Sequence, residues 1–274
     1  MTRINPLDDP KVAYHYRVEV ALADRLRNST KAERADLYTT VYEELFRDVP
    51  DHVQLTNKDD HDHRDGMIRE LMATLSPYLS RETIYAEIGS GDCALTMQVA
   101  PLVRKAWGID VSPTVTHGAA APNMELVLSD GVSIPVKATL VFSNQLMEHL
   151  HPDDAREQLE NVLKALLPGG RYLCITPNRL NGPHDVSRGI DTVARGFHLH
   201  EYTYVELERL FKDVGFSRTR TVVRVRGRQV EAPTWLVAAF ERGVALLPGK
   251  LRGRVANLPV VRQVLAVRLI GIRN

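Results

Sequence analysis

From Ile84 onward, short apolar runs alternate with longer stretches whose apolar residues recur at helical spacing, and this alternation limits most sharply what the chain can fold into. IYAEI, AWGID, LVLS, ATLVFS and RYLCIT read as strands, while ALTMQVAPLV, AREQLENVLKALL and YVELERLFKDV read as helices. Strands alternating with helices imply βαβ units and a mostly parallel sheet. No internal repeat or low-complexity segment interrupts the pattern.

Residues 10–47 place Val12, Tyr16, Val20, Ala23 and Leu26, then Ala35, Tyr38, Val41 and Leu45, at helical spacing, which predicts two amphipathic helices forming an N-terminal cap. PDHVQLTNKDDHDHRDG reads as a connector before a helix around Met67–Leu75. Its His61-Asp62-His63 is expected to be solvated surface, not a metal site. The expected organisation is a cap and connector over 1–66 and one α/β domain over 67–274, with a helical insertion near 232–262.

The chain has 274 residues, enough for one large core. No window holds the roughly 18 uncharged apolar residues of a membrane helix, and MTRINPLDDPK lacks an apolar signal segment, so a cytoplasmic location is expected. Cys93 and Cys174 are too few for a disulfide framework and read as buried. A net charge of +1 gives little general attraction to nucleic acid. That balance hides an asymmetry, because residues 217–274 hold twelve Lys and Arg against two acids.

Glu87-Ile88-Gly89-Ser90-Gly91-Asp92-Cys93-Ala94 closes one predicted strand and opens a helix, where glycines let backbone approach a nucleotide. Asp110 ends the next strand, placed to accept hydrogen bonds from ribose hydroxyls. Ser129-Asp130-Gly131 follows the third strand, where a carboxylate can meet an adenine amino group. Glu87 stands where dinucleotide folds usually carry an apolar residue, and its carboxylate can balance a cationic ligand. Taken singly, Glu87 is equally compatible with a cap, Asp110 with a turn acid, and Asp130-Gly131 with a hairpin corner. Their occurrence in one order favours the ligand roles. Gly89-x-Gly91-x-x-Ala94 also satisfies the dinucleotide fingerprint, which keeps an NAD-dependent oxidoreductase as the alternative enzyme.

EIGSGDC, WGID, SDG, FSNQLMEHL and LLPGGRYLCITPN together resemble the successive motifs of the class I S-adenosylmethionine-dependent methyltransferases, over roughly residues 67–226. The resemblance implies a Rossmann-like, doubly wound sheet of seven strands, mostly parallel with the last antiparallel. It implies S-adenosyl-L-methionine as cofactor, bound by Glu87, Gly89, Ser90, Gly91, Asp110, Val111, Asp130, Gly131 and Asn144. Cys93 departs from the family's third glycine and, being small, is expected to be tolerated. A non-catalytic protein that only binds the cofactor is the remaining alternative.

Methyl transfer is an in-line displacement, so the protein must chiefly align acceptor and methyl. A hydroxyl acceptor also needs a base, and histidine suits neutral pH. His149, His151, His184, His198 and His200 lie near the expected sheet edge, and His149 and His184 are the chosen catalytic candidates. Glu148-His149 with Asp153 and Asp154 is also compatible with a packed loop and helix cap. Glu148-His149 resembles part of the metal-binding stretch of the ubiquinone-type O-methyltransferases, but Gln145 replaces a Glu there, so no metal is expected. The acceptor is expected to be a small molecule, a glycan or a lipid-linked compound.

TWLVAAFERGVALLPGKLRGRV joins an apolar run to Lys250, Arg252 and Arg254, a pattern that can lie on an anionic membrane surface. The favoured expectation is the plainer one. Trp235–Leu247 packs on the core, VLAVRLIGIR forms the last antiparallel strand, and the charges pair with the acidic N-terminal part.

Overall fold

Capping residues start both N-terminal helices of the computed structural model, which describes residues 5–52, 61–111, 118, 120–225 and 228–274. The Asp9 carboxylate accepts from the Lys11 amide at 2.8 Å and Pro10 occupies the first turn, so helix α1 (Pro10–Asn28) starts there. Thr30 and Glu33 form a capping box at the head of α2 (Lys31–Asp48). Helix α3 (His61–Leu75) begins before Met67, with Asp62 favourably placed in its first turn. The side chains of His61 and His63 lie outside the described residues.

Eight strands form one sheet: β1 (Ile84–Ile88), β2 (Lys105–Asp110), β3 (Met124–Leu128), β4 (Ala138–Asn144), β5 (Leu166–Thr176), β6 (Arg218–Val225), β7 (Arg228–Pro233) and β8 (Val267–Ile272). Their spatial order is β3-β2-β1-β4-β5-β8-β6-β7. Strands β1 to β5 pair in parallel, and β8 is antiparallel to both β5 and β6. The expected last antiparallel strand is therefore β8. The additional strand β7 pairs as a hairpin with β6 at the sheet edge. Between them, α4 (Ala94–Val99), α5 (Pro152–Ala165) and α6 (Tyr204–Val214) are the crossover helices, while α7 (Thr234–Ala245), α8 (Gly249–Ala256) and α9 (Pro259–Leu265) precede β8. Thr203 caps α6 in a second capping box and Gly215, at φ 113°, ends it.

The central strands are buried on both faces, as a covered parallel sheet requires. Tyr172 of β5 stacks on Phe211 of α6 with ring centroids 5.5 Å apart, and Phe211 stacks on Phe216. A Cβ at Gly271 of β8 would lie 2.6 Å from both phenyl rings, so only glycine lets this strand pass beneath them.

The cap is fastened to the domain by charge. Arg34 of α2 donates to Asp154 of α5 at 2.6 and 2.8 Å, and the Tyr38 hydroxyl donates to the same carboxylate at 2.7 Å. Arg34 and Asp154 are buried, so Asp154 does more than favour a helix terminus. Asp154→Ala leaves a guanidinium uncompensated in the interior and is expected to cost about 3–5 kcal/mol of stability. Chemical denaturation of the two proteins checks this, and a loss below about 1 kcal/mol would show the pair to be solvated.

Only one face of α7 packs as expected. Thr234, Val237, Ala238, Glu241 and Val244 are buried, but Trp235 is 62% exposed and Phe240 42% exposed. Arg242, Lys250, Arg252 and Arg254 make no ion pair among the described residues, which corrects the expectation that these charges pair with the acidic N-terminal part. No helix of the described residues is long and apolar enough to cross a membrane.

Candidate active site

The turn after β1 is tied to β2 by two hydrogen bonds, since the Gly89 and Ser90 amides donate to the Ile109 carbonyl at 2.9 and 3.2 Å. Gly89, Gly91 and Cys93 all have left-handed backbone, with φ of 69°, 53° and 60°. Glycine takes this conformation freely, whereas Cys93 pays a modest strain. The thiol is accommodated because residue 108 is glycine, where a Cβ would lie 2.9 Å from Cys93 Sγ. A Cβ at Gly91 would meet nothing within 4 Å, so the backbone borders open space there.

The Gly91 amide donates to the Asp110 carboxylate at 2.8 Å, joining the glycine turn to the end of β2. Val111 follows, half-buried, and its Cγ1 lies 3.4 Å from where a Gly131 Cβ would stand, so these two border one narrow space. Asp130 holds its own loop by accepting from the Val132 amide at 2.9 Å and the Ser133 amide at 2.6 Å. These bonds keep its carboxyl below the usual range although partial burial opposes them. Asn144 is half-buried at the end of β4, beside Ile175 of β5.

Glu87 behaves differently from a simple counter-charge. It is 6% exposed beneath the turn and accepts from the Thr96 hydroxyl of α4, with the Tyr85 hydroxyl beside it. Burial, with the charges of Asp92 and Asp110, pushes its carboxyl up to about 8 against those hydroxyls, so it holds a proton at neutral pH. Its folded value lies above the ordinary 4.5, so the folded chain binds more protons than the unfolded chain between those limits. The resulting stability is complete below pH 4.5 and is lost as pH rises through 8. Glu87→Gln removes the titration and is expected to flatten the decline in melting temperature between pH 6 and 9. Parallel pH profiles of the two proteins would contradict this placement of the proton.

Beyond β4 and β5, four segments converge around a cavity of about 310 Å³ lined by His15, Glu19, His52, His149, His184, Asp185, Val186, Phe197 and His198. Wider hollows of about 530 and 590 Å³ lie near Gly66 and Pro77, but they gather no comparable set of titratable groups. The cavity walls are α1, the segment after α2 that carries His52, the turn holding His149 and the loop between β5 and α6. Arg27 of α1 draws that loop in, donating to the Arg195 and Gly196 carbonyls at 2.7 and 2.8 Å. The Phe197 peptide joins this loop to α1 and to the His149 turn: its amide donates to Glu19 at 3.1 Å and its carbonyl lies 3.1 Å from His149 Nδ1.

A carbonyl can only accept, so His149 carries its hydrogen on Nδ1 and its Nε2 lone pair is left for other partners. Burial, reinforced by the charge of His198, lowers its pKa to about 3. His198 stacks edge-on at 4.9 Å and its Nδ1 lies 2.8 Å from Glu201 Oε1. Burial opposes its charging, but the Glu201 hydrogen bond and the Glu148 charge prevail and raise its pKa. Glu148 is fully buried; one carboxylate oxygen accepts from Thr176 at 2.9 Å, the other has no hydrogen-bond partner, and desolvation raises it to about 7. His184 Nε2 faces Asn181 Oδ1 at 2.9 Å and the Asn178 carbonyl at 3.2 Å, which consumes its hydrogen. His151 instead caps α5, and His200 stacks on Tyr202.

The structure thus brings His149, His184 and His198 to one cavity, lines it also with His15, Glu19, His52 and Asp185, and sets Glu201 against His198; sequence reasoning missed these last five. His15 and Glu19 stand four residues apart in α1, a detectable spacing, whereas Glu201 next to His200 gave no local signal.

A doubly wound sheet with an antiparallel strand between its fifth and sixth parallel members, a glycine turn after β1 and an acid ending β2 defines the class I methyltransferase architecture. Dinucleotide folds place the sixth strand directly beside the rest of the parallel set, so β8 sets the NAD reading aside. Residues 60–220 match the methyltransferase domain model, more than half of the chain, and the chain belongs to that family. It is 27% identical over 185 residues to a probable S-adenosylmethionine-dependent methyltransferase of Mycolicibacterium smegmatis, covering 66% of this chain and 68% of the relative. In fold it is similar to a putative methyltransferase of Haloferax volcanii solved with the Trm112 activator (TM-score 0.52, 15% identity, 78% of this chain and 94% of that one). It is likewise similar to the magnesium protoporphyrin IX methyltransferase of Synechocystis with bound S-adenosylhomocysteine (TM-score 0.50, 13% identity, 81% and 89%). The chain is an S-adenosylmethionine-dependent methyltransferase. The open space at Gly91 and the acid at Asp110 fit that cofactor.

Proposed function

We propose that the chain transfers a methyl group to a hydroxyl oxygen of a small-molecule, glycan or lipid-linked acceptor held in the histidine-lined cavity. The observation that carries this reading is the convergence of His149, His184 and His198 on one cavity at the sheet edge where open α/β folds bind ligands. In this reading Asp110 takes the ribose, Val111 and Gly131 flank the adenine, Asp130 meets its amino group, and Gly89, Ser90, Gly91 and Asn144 border the methionine part. Glu87 lies beneath and gives up its proton when a positive charge arrives above it. The cofactor, when bound, supplies an electrophilic methyl on a sulfonium.

The chain's own work is to exclude water, orient the acceptor and take its proton. His149 is the candidate that the sequence offers for the last task, but an imidazole held near pKa 3 is a weak base. We assign the proton to His198, whose imidazolium Glu201 stabilises, and give His149 Nε2 and His184 the role of fixing the acceptor. Incubation with methyl-labelled cofactor and separated small-molecule, glycan and lipid fractions tests the reading. Label in a base-stable methyl ether supports it. Label on nitrogen or carbon rejects the oxygen assignment, and no labelled product despite cofactor binding favours a non-catalytic role.

We also place the protein in the cytoplasm, with weak attachment to anionic membrane. Exposed Trp235, Leu236, Phe240, Leu246 and Leu251 accompany Arg242, Lys250 and Arg252, which make no ion pair among the described residues, on α7 and α8, the composition of an interfacial surface. Each basic residue near such a surface adds about 1 kcal/mol. Co-flotation with phosphatidylserine vesicles at low salt, lost at high salt, is expected, and no flotation at low salt rejects it.

A further inference from the structure

We propose that His15, Glu19 and His52 form a binding site for a divalent first-row transition ion whose open coordination position faces the cavity. The site lies outside the Glu148-His149 stretch to which the Gln145 argument applies, and it is built almost wholly from the N-terminal cap. His15 and Glu19 are one turn apart on α1, and His52 follows α2. His15 Nε2 is 3.3 Å from Glu19 Oε2, and His52 Nε2 is 3.7 Å from the same oxygen. All three ligand atoms lie within 4.8 Å of one another. Zinc held at about 2.0–2.2 Å by tetrahedral ligands needs those atoms roughly 3.3 Å apart, so closing the separations by at most about 1.5 Å converts this cluster into a coordination shell.

Two further observations point to a ligand. His15 Nε2 is buried, and its 3.3 Å contact with the Glu19 carboxylate is too loose in geometry to satisfy it fully. The other Glu19 oxygen is fixed by the Phe197 amide, the outer-shell contact that orients a ligating carboxylate. This contact needs residue 196 to be glycine, because a Cβ there would lie 2.2 Å from Glu19 Oε1. The backbone is shaped around this carboxylate.

Two imidazoles and one carboxylate leave at least one position open, which is the donor set of reactive sites and not of closed structural ones. The open side is the cavity, since all three residues line it with His149, His184 and His198. The exchangeable ligand is then water or an oxygen of the bound molecule, a hydroxyl, phenol or carboxylate. This last point rests on reading the cavity as the acceptor pocket; the ion site itself does not.

The test uses the full chain, stripped with chelator and free of cofactor and acceptor, so its outcome is independent of the methyl-transfer reading. Calorimetric titration with Zn²⁺ is expected to show one equivalent bound, and Co²⁺ to give visible absorption bands of a low-coordinate site. His15→Ala and His52→Ala are each expected to weaken Zn²⁺ binding by about a hundredfold and to abolish the bands, with melting temperatures of the stripped proteins close to the parent. His151→Ala, away from the cavity, is expected to bind as the parent does. Absence of a stoichiometric Zn²⁺ site in the folded parent overturns the proposal. So does binding unchanged in both histidine variants, or binding lost in His149→Ala and kept in His15→Ala.

Discussion

Gly91→Val and Asp110→Ala are each expected to lower S-adenosylmethionine affinity by about a hundredfold or more while leaving the chain folded. Gly91 sits at φ 53°, where a β-branched residue is strained by about 1–3 kcal/mol. Its Cβ would point into open space, so the damage falls on whatever occupies that space and not on packing. Asp110 ends β2 with its carboxylate on the same turn, and losing hydrogen bonds to a charged group costs about 1.5–3 kcal/mol each. Calorimetry measures both effects, and unchanged affinity in both variants would remove the cofactor from this crevice.

The second large effect is expected at His198. His198→Ala should lower kcat by about 10²–10⁴-fold, the usual range for loss of a general base, with little change in cofactor affinity. Glu201 holds the His198 pKa up, so activity that depends on neutral His198 rises with pH through that raised value. Glu201→Gln is then expected to move the rise to lower pH, a displacement that loss of packing alone would not give. His149→Ala should act mainly on acceptor KM. A large kcat loss in His149→Ala with normal turnover in His198→Ala would return the proton to His149.

The β/α alternation and the cofactor motifs were legible because each is local: a strand, a tight turn and a helix lie within a few residues of one another. The eighth strand was not, because β7 is a polar edge strand, RQVEAP, whose identity comes from pairing with β6. The buried face of α1 was legible in its second half only. Apolar spacing put it on Val12, Tyr16, Val20, Ala23 and Leu26; Ala23 and Leu26 are buried together with Leu22, whereas Val12 is 37% exposed and Glu19 is buried. Glu19 was missed because it faces the cavity, and a hydrophobicity pattern assigns polar residues to solvent. The same blindness hid Glu201, whose partner His198 was visible only as one histidine among several.

A crystal structure with S-adenosylhomocysteine bound tests the central claim most directly. The account predicts the ribose on Asp110, the adenine between Val111 and the Gly131 turn, and the sulfur facing the cavity walled by His149, His184 and His198. A sulfur directed away from that cavity, or separated from it by closed protein, would contradict the assignment of acceptor site and base together.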